Sequence, residues 1–479
     1  MKIILSMELP LHRPMVPNHH PAQALSVARR PSLVQNSLKA GSLSTYDVIV
    51  VGSGVAGMAA CLHLARSGMR VLSLEADAGT DSPVGESLDW SSPDLLAALG
   101  LPMDQLIGEG IATYKRHVIL RMPDGREQHY VPGEWLGRSP WNVNLATIHV
   151  DRQRLNRVLH ELVAQAGVHT RVARIARVES ADRRILALCT TSGERFEAPW
   201  FIDASGSAAA LFPRHFRLPF REFGPQKVAL WDYLTVSKSL EGTTLNADQP
   251  DCSYLEWVWQ IPIHPQVISV GYVARAETIR EQRRAGESLE AIFDRQLACF
   301  PELAEARKQQ RQRGEPATLR TTTFRCRVHS ESAGPNWLIV GESAAMVDPM
   351  TSNGVTAALR HAAEASSLIL RARNRHELPG LGTWLYSRRI AALGLFFNSG
   401  IEQVIYDWPI RRRVGIARAG DIYTIPAWLM NLVYARMRPV GPIKTMLYTS
   451  ATALMRRTLA IFYWFSKRKA PAKAVCTIP

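Results

Sequence analysis

The stretch YDVIVVGSGVAGMAACLHLARSGMRVLSLEA, which begins at Tyr46, limits the possible folds of this chain more than any other. An apolar run over residues 48–51 leads straight into Gly52-x-Gly54-x-x-Gly57. A helical pattern follows through Leu62 and Leu64, and a second apolar run, Val71 to Leu74, ends on Glu75. Each part has a physical task. Gly52 permits the tight turn from strand to helix, Gly54 lets backbone approach a pyrophosphate, and Gly57 lets the helix pack on the strand. Val55 and Ala56 open that helix, whose N-terminal N–H groups attract a diphosphate. Glu75 lies eighteen residues beyond Gly57, placed to accept hydrogen bonds from an adenosine ribose. A lone GxGxxG says little, but strand, glycines, helix, strand and acid in this order predict a dinucleotide-binding βαβ unit. No second such unit appears downstream, which argues against separate flavin and nicotinamide Rossmann domains.

Four later segments extend the pattern. VGESLDWSSPDLLAALGL follows Glu75 and contains Gly85-Glu86-Ser87. IHVDRQRLNRVLHELVAQAGV predicts a strand and then a helix that starts near Arg152, with Leu155, Leu159 and Leu162 on one side. FIDASGSAAAL predicts a strand entering a turn of small residues, Asp203 to Gly206. NWLIVGESAAMVDPMTSNGVTAALRHAAEAS predicts a strand, a loop and a helix from near Gly354. Between the last two, EWVWQIP sets Trp257 and Trp259 one residue apart. Alternation along a strand aims both indoles at one face. Such a pair either fills a core or lines a site.

In this order the segments resemble the single-component FAD fold shared by aromatic hydroxylases, geranylgeranyl reductases and flavin-dependent halogenases. Within that group the chain resembles the halogenases. Their Trp-x-Trp-x-Ile-Pro element is matched by Trp257, Trp259, Ile261 and Pro262, and their Gly-Glu-Ser element by residues 85–87. VDPMTSNGV resembles their Asp-Pro-x-x-Ser-x-Gly-Val loop, where flavin and halide meet. The resemblance covers about residues 46–375. It implies FAD, with Glu86, Ser87, Arg152, Asp203, Gly206, Glu342, Asp348, Asn353, Gly354 and Val355 around it. Arg152 then packs near the cofactor or makes a helix-cap ion pair. Asp348 shapes a turn. Asn353 and Gly354 offer backbone N–H groups at a helix start. Asp203 to Gly206 permits close packing. Glu342 stands where the family has Asp, one methylene shorter.

The resemblance also implies a reaction. A separate reductase supplies reduced FAD, and oxygen and halide give a hypohalous acid. That oxidant crosses a tunnel to a lysine beside an electron-rich ring. Trp257 and Trp259 keep organic substrate away from the flavin, and Ser352 belongs to the halide loop. The implied lysine is Lys115, in GIATYKRHVIL, although the family position falls on Tyr114. One residue of slip in a strand turns a side chain to the opposite face, and a bulge would restore it. Tryptophan-acting members carry Glu before the loop serine, where this chain has Thr351. The expected substrate is therefore a small or carrier-bound aromatic such as a phenol or pyrrole.

Charge and cysteines narrow the partners. Six scattered cysteines form no CxxC pair, and the histidines lack ligand spacing, so no metal is expected. The net charge of +15 is concentrated at the ends: residues 1–45 carry +4, residues 401–479 carry +10, and the middle only +1. A nearly neutral body argues against nucleic acid. The basic, aromatic C-terminal region is expected to be helical. It either packs on the body or touches an anionic membrane as a peripheral surface; its charge-free runs, 445–455 and 458–466, are too short to span a bilayer.

The resulting expectation is an α/β protein: a Rossmann-type FAD-binding domain interleaved with a mixed β-sheet substrate domain, plus a mostly helical C-terminal region. Its parts are a disordered extension (1–45), an FAD-binding part (46–210), a substrate domain (211–334), a return segment (335–375) and the basic region (376–479). The expected activity is that of a cytoplasmic FAD-dependent halogenase. A flavin monooxygenase or geranylgeranyl-reductase-like enzyme is the alternative on the same frame. A flavoprotein that modifies or chaperones a partner protein is a third.

Overall fold

The computed structural model describes residues 46–77, 84–121, 127–130, 147–237, 241–248, 254–314, 319–407 and 441–468. The N-terminal 45 residues and the stretch 408–440 lie outside the described residues.

The apolar run Val48–Val51 is the middle strand of a five-stranded sheet. Trp200–Asp203 and Val71–Glu75 flank it in parallel, with Val48 opposite both Trp200 and Val71. Trp337–Ile339 and His169–Val172 complete the sheet, again in parallel. Strands covered on both faces need apolar residues at every position, and VIVV and WFID are buried throughout. The helix Val55–Ala65 crosses between the first two strands, and Gly354–Arg371 packs beside it. Arg152–Gln165 lies on the same core through Leu155, Leu159 and Val163. Leu162, expected on that face, is only partly buried. The 3.6-residue period puts Val163, four residues beyond Leu159, more squarely on the stripe.

The second layer is a mixed sheet of eight strands. Its order is Ala345–Met346, Arg320–His329, Phe220–Thr235, Val267–Arg275, Glu256–His264, Thr243–Asp248, Val118–Arg121 and Glu127–Tyr130. Neighbours are antiparallel except Thr243–Asp248 with Val118–Arg121. Both faces are covered. Val258 joins a core with the helices Ala276–Arg284, Leu289–Leu297 and Pro301–Gln312. Trp257, Trp259, Ile261 and Ile263 face the other way, toward Gly380–Gly400 and the helix Pro442–Arg468. That alternation is the period-two pattern of the strand. Between those two helices, Ile401–Tyr406 forms one π-helical turn. Among the described residues, no helix is long and apolar enough to cross a membrane, and no cluster of His, Cys, Asp or Glu suits a metal ion.

Candidate active site

One cavity of about 1100 Å³ runs from the glycine turn to the tryptophan face of the large sheet. Gly54, Val55 and Ala56 line its near end, with Glu86, Ser87, Arg152, Gly206, Glu342, Gly354 and Val355. Lys115, Trp257, Trp259 and Ser352 also line it. The other six sequence-predicted residues, Gly52, Gly57, Glu75, Asp203, Asp348 and Asn353, are not part of its lining.

Gly52 has φ +99°, and a Cβ there would lie 2.4 Å from Ala204 O. Gly57 touches the turn so closely that a Cβ would fall 1.8 Å from Gly52 O. Gly54 differs: nothing of the protein lies within 4 Å of its would-be Cβ, and the residue opens on the cavity. Glu75 accepts from Ser53 N at 2.6 Å and Ser53 Oγ at 2.7 Å, so it braces the glycine turn. Asp203 is buried and accepts from Ser205 N and Phe212 N, shaping the small-residue turn; burial pushes its carboxyl up.

Arg152 sits at the first position of its helix. Asp151 caps that helix through Arg154 N, so Arg152 is not the cap. Its Nη1 donates to Val84 O and Gly85 O, each at 3.1 Å, and its buried Nε has no hydrogen-bond partner among the described residues. Glu342 is open to the cavity and accepts from Ser207 Oγ at 3.2 Å. Burial raises the Glu86 carboxyl, against the pull of Tyr233 O–H, which donates at 2.8 Å.

Lys115 ends the strand Ala112–Lys115, which pairs with Thr147–Val150 in unbroken register. No bulge occurs there. Alternation alone sends Tyr114 outward, 42% exposed under the Arg116 guanidinium, and Lys115 inward, 4% exposed. The one-residue offset thus leaves the lysine on the cavity side. Lys115 Nζ donates to Leu88 O at 2.9 Å and lies 5.6 Å from the centre of the Trp90 ring. Burial pushes its ammonium down to about 8, and Asp89 opposes that fall.

Trp257 and Trp259 are both buried, their ring centres 5.7 Å apart. Each indole N–H is fixed: Trp257 Nε1 donates to Tyr406 OH at 2.8 Å and Trp259 Nε1 to Ser269 Oγ at 3.1 Å. Ser352 has φ +52°, a left-handed conformation that costs a non-glycine residue energy. Its Oγ donates to Ser87 Oγ at 3.1 Å. From Ser87 a chain of hydrogen bonds runs through Thr243 Oγ1 (3.1 Å) to His149 Nε2 (2.9 Å), and His149 Nδ1 meets Thr113 Oγ1 at 3.3 Å. Burial, then the charge of Lys115, holds His149 well below its usual range and so neutral.

A family model described as tryptophan halogenase matches residues 125–373, just over half of the chain. The chain belongs to the tryptophan halogenase family. A model described as an FAD binding domain matches residues 47–128. Flavin-dependent halogenase armH5 of Armillaria mellea is 28% identical over 346 residues, 67% of this chain and 64% of that protein. Tryptophan 2-halogenase of Chondromyces crocatus is 28% identical over 342 residues, 68% of this chain and 61% of that protein. The chain therefore spans less than two thirds of the length of these relatives. The structure of a triple mutant of flavin-dependent brominase Bmp2 superposes with a TM-score of 0.65 at 17% identity, over 88% of this chain and 100% of that one, which establishes the shared fold.

FAD is the cofactor of this halogenase-family chain, and the residues present fit it. The open face of Gly54 leaves room where a pyrophosphate must approach, and Arg152 Nε is a buried donor with no acceptor among the described residues. Gly54 to Ala56 would hold the diphosphate at the helix N-terminus, and Arg152 and Glu342, farther along the same cavity wall, would be available to its polar groups. Asn353 caps the helix Gly354–Arg371, but its side chain turns away and donates to Asp89 Oδ2 at 2.6 Å. Gly354 and Val355 remain on the cavity wall.

Several neighbours of the site escaped sequence reading. Lys227 is buried and bonded to Asp348 Oδ2 at 2.9 Å and Glu402 Oε1 at 2.5 Å. Burial works against its charge, yet Asp348 and Glu402 outweigh burial and hold it protonated. Tyr254 donates to Glu402 at 2.7 Å and Tyr406 to Asp348 at 3.2 Å. The family loop, the Trp257 indole and the π turn thus share one knot. A lone lysine in the apolar run KVALWDYL was the available signal. Gly271 is the other: a Cβ there would lie 2.2 Å from the Trp259 ring. A glycine opposite a tryptophan marks a ring laid across the neighbouring strand.

Proposed function

We propose that this chain is an FAD-dependent halogenase acting on an electron-rich aromatic, phenol- or pyrrole-like, free or carrier-bound. The observation that carries the reading is a buried lysine on the wall of the cavity that also holds both tryptophans, Ser352 and the glycine turn. A lysine in such a place has no packing role that a leucine would not fill better, because burial lowers its charge affinity.

The residues divide the work. FAD held by Gly54 to Ala56 and Arg152, and reduced by a separate reductase, would supply the chemistry that lets oxygen oxidise a halide. The two indoles, pinned by Tyr406 and Ser269, form a rigid apolar wall that excludes water and bulky substrate from the cofactor end. Ser352 and its hydroxyl chain to His149 hold the halide loop and give a proton path along neutral donors and acceptors. Lys115, with its ammonium lowered to about 8, exchanges its proton near neutrality and so serves either as a donor to the oxidant or as an amine that captures it. Thr351 at the position before Ser352 supports a substrate other than free tryptophan.

The test is incubation with reduced FAD, oxygen and bromide plus phenol and pyrrole traps, read by mass spectrometry. A monobrominated product that requires bromide is expected. A hydroxylated product formed equally with and without bromide would sink the proposal and favour a monooxygenase.

A further inference from the structure

The helix Pro442–Arg468 is apolar on two faces: Tyr448, Met455, Leu459, Phe462 and Tyr463 pack inward against the tryptophan side of the large sheet, and a second apolar stripe faces out. Its buried positions include Thr445, Thr449 and Thr452. Those hydroxyls are satisfied locally: Thr449 donates to Met446 O, Thr452 to Tyr448 O, and Thr445 Oγ1 accepts from Arg389. Seven large apolar side chains stand among its exposed positions. Ile443 is 77% exposed and Leu447 and Leu454 67% each, and Met446, Ile461, Trp464 and Phe465 are exposed as well. At about 100° per residue these seven fall within an arc of roughly 100°, repeated along a helix of about 40 Å. A surface helix normally turns such a stripe inward. A long exposed stripe of this kind marks an interaction surface.

Charge says what it meets. Between Asp421 and the C-terminus the sequence has nine Lys and Arg and no Asp or Glu. Arg457 is exposed within the stripe and Lys444 is exposed beside it. A symmetric pairing of two copies would set stripe on stripe, cation near cation, with no acid in either helix to offset them. Anionic lipid supplies both missing partners, acyl chains for the stripe and phosphates for the cations. Trp464 and Phe465, next to the basic end KRK, are the residue types that anchor a helix at a bilayer interface.

We propose that the helix Pro442–Arg468 lies on the surface of an anionic phospholipid bilayer, its apolar stripe in the headgroup region and the rest of the protein in water. The inference is independent of the halogenase reading, since it uses a face that carries none of the cavity residues.

Full-length, FAD-loaded protein is sedimented with phosphatidylserine-containing vesicles and with pure phosphatidylcholine vesicles. Binding should be much stronger to the first. It should fall as salt rises from about 0.1 M to about 1 M, where the screening length shrinks from about 10 Å to about 3 Å. Lys444→Gln with Arg457→Gln should weaken binding about fivefold per cation at low salt. Trp464→Ser with Phe465→Ser should remove binding to both vesicle types. Flavin content of each variant should equal that of the parent, which separates lost binding from lost folding. Absence of vesicle binding, or equal binding to both lipids, would overturn the proposal. So would a dimer that Leu454→Ser splits without any vesicle binding, which would assign the stripe to a second copy. Salt-sensitive capture by an acidic protein, with vesicles ignored, would also overturn it.

Discussion

Replacing Lys115 with Met should make the protein more stable and abolish halogenation. The ammonium falls from 10.5 to about 8 because burial disfavours its charge. That fall corresponds to ~3 kcal/mol of destabilisation while both states are protonated. Met fills nearly the same volume, so the cavity term is small. The lost hydrogen bond to Leu88 O costs about 1 kcal/mol. That carbonyl still accepts from Thr147 Oγ1 at 3.3 Å, so no acceptor is orphaned. The net expectation is about 2 kcal/mol of added stability near pH 7, from the burial penalty less the hydrogen bond. The pH dependence follows with a definite sign. Below pH 8 the parent carries the full penalty. Between about 8 and 10.5 its folded state has lost the proton while the unfolded state keeps it, so parent stability rises with pH. Above about 10.5 the advantage of the Met variant disappears. Urea unfolding at saturating FAD, at several pH values from 6 to 11, reads all of this; bromination in the trap assay reads the activity. A Met variant less stable than the parent at pH 7, with an unchanged pH slope, would show that Lys115 is a paired structural cation. Retained bromination would remove it from the chemistry.

Three further outcomes rest on single contacts. Gly54→Val should fold but emerge from purification with little FAD, because a Cβ there meets nothing within 4 Å and opens on the cavity proposed for the cofactor; flavin absorbance checks this. Gly271→Ala puts a methyl 2.2 Å from the Trp259 ring, so it should cost about 1–3 kcal/mol in denaturant unfolding, as overpacking does. It should also raise peroxide release relative to bromination as the indole wall shifts. Lys227→Met leaves Asp348 and Glu402 buried without their cation, and should cost about 3–5 kcal/mol near pH 7. Glu402→Gln in the same background should recover part of that loss.

The legible parts were those fixed by local chemistry. Gly52 and Gly57 mark a turn with no room for a side chain, and with Gly54 between them the first βαβ unit could be read outright; the strands Trp200–Asp203 and Trp337–Ile339 were legible as apolar runs. The period of two placed Trp257 and Trp259 on one face. The same period decided Lys115, but only once the partner strand was known. Counting from a motif leaves a parity error of one residue undetected, whereas pairing of Lys115 with Thr147 fixes which face is inside. Glu402 and Tyr406 were beyond reach for a different reason. They sit in a π turn that continues the helix Gly380–Gly400, and no local pattern announces one. His149 and Thr243 were invisible because their meaning lies in hydrogen bonds across ninety-odd residues of sequence.

The buried knot explains how the loop from Asp348 to Asn353 can hold Ser352 at a positive φ. A left-handed serine is tolerated where the surroundings leave the backbone no alternative. Asp348 provides that constraint at the start of the loop. It accepts from Met350 N at 3.0 Å, from Lys227 and from Tyr406, and its own N–H is held by Asn398 Oδ1 at 3.1 Å. Asn353 fixes the far end through Asp89. Between two anchored ends the chain has four residues, and Ser352 must turn back on itself to present its hydroxyl to Ser87. Three of the groups that hold Asp348, namely Asn398, Tyr406 and Lys227 through Glu402, involve residues beyond 376. The C-terminal region therefore shapes the loop that the family motif names, and its outer helix, whatever that helix rests on, is joined to the site through the same π turn.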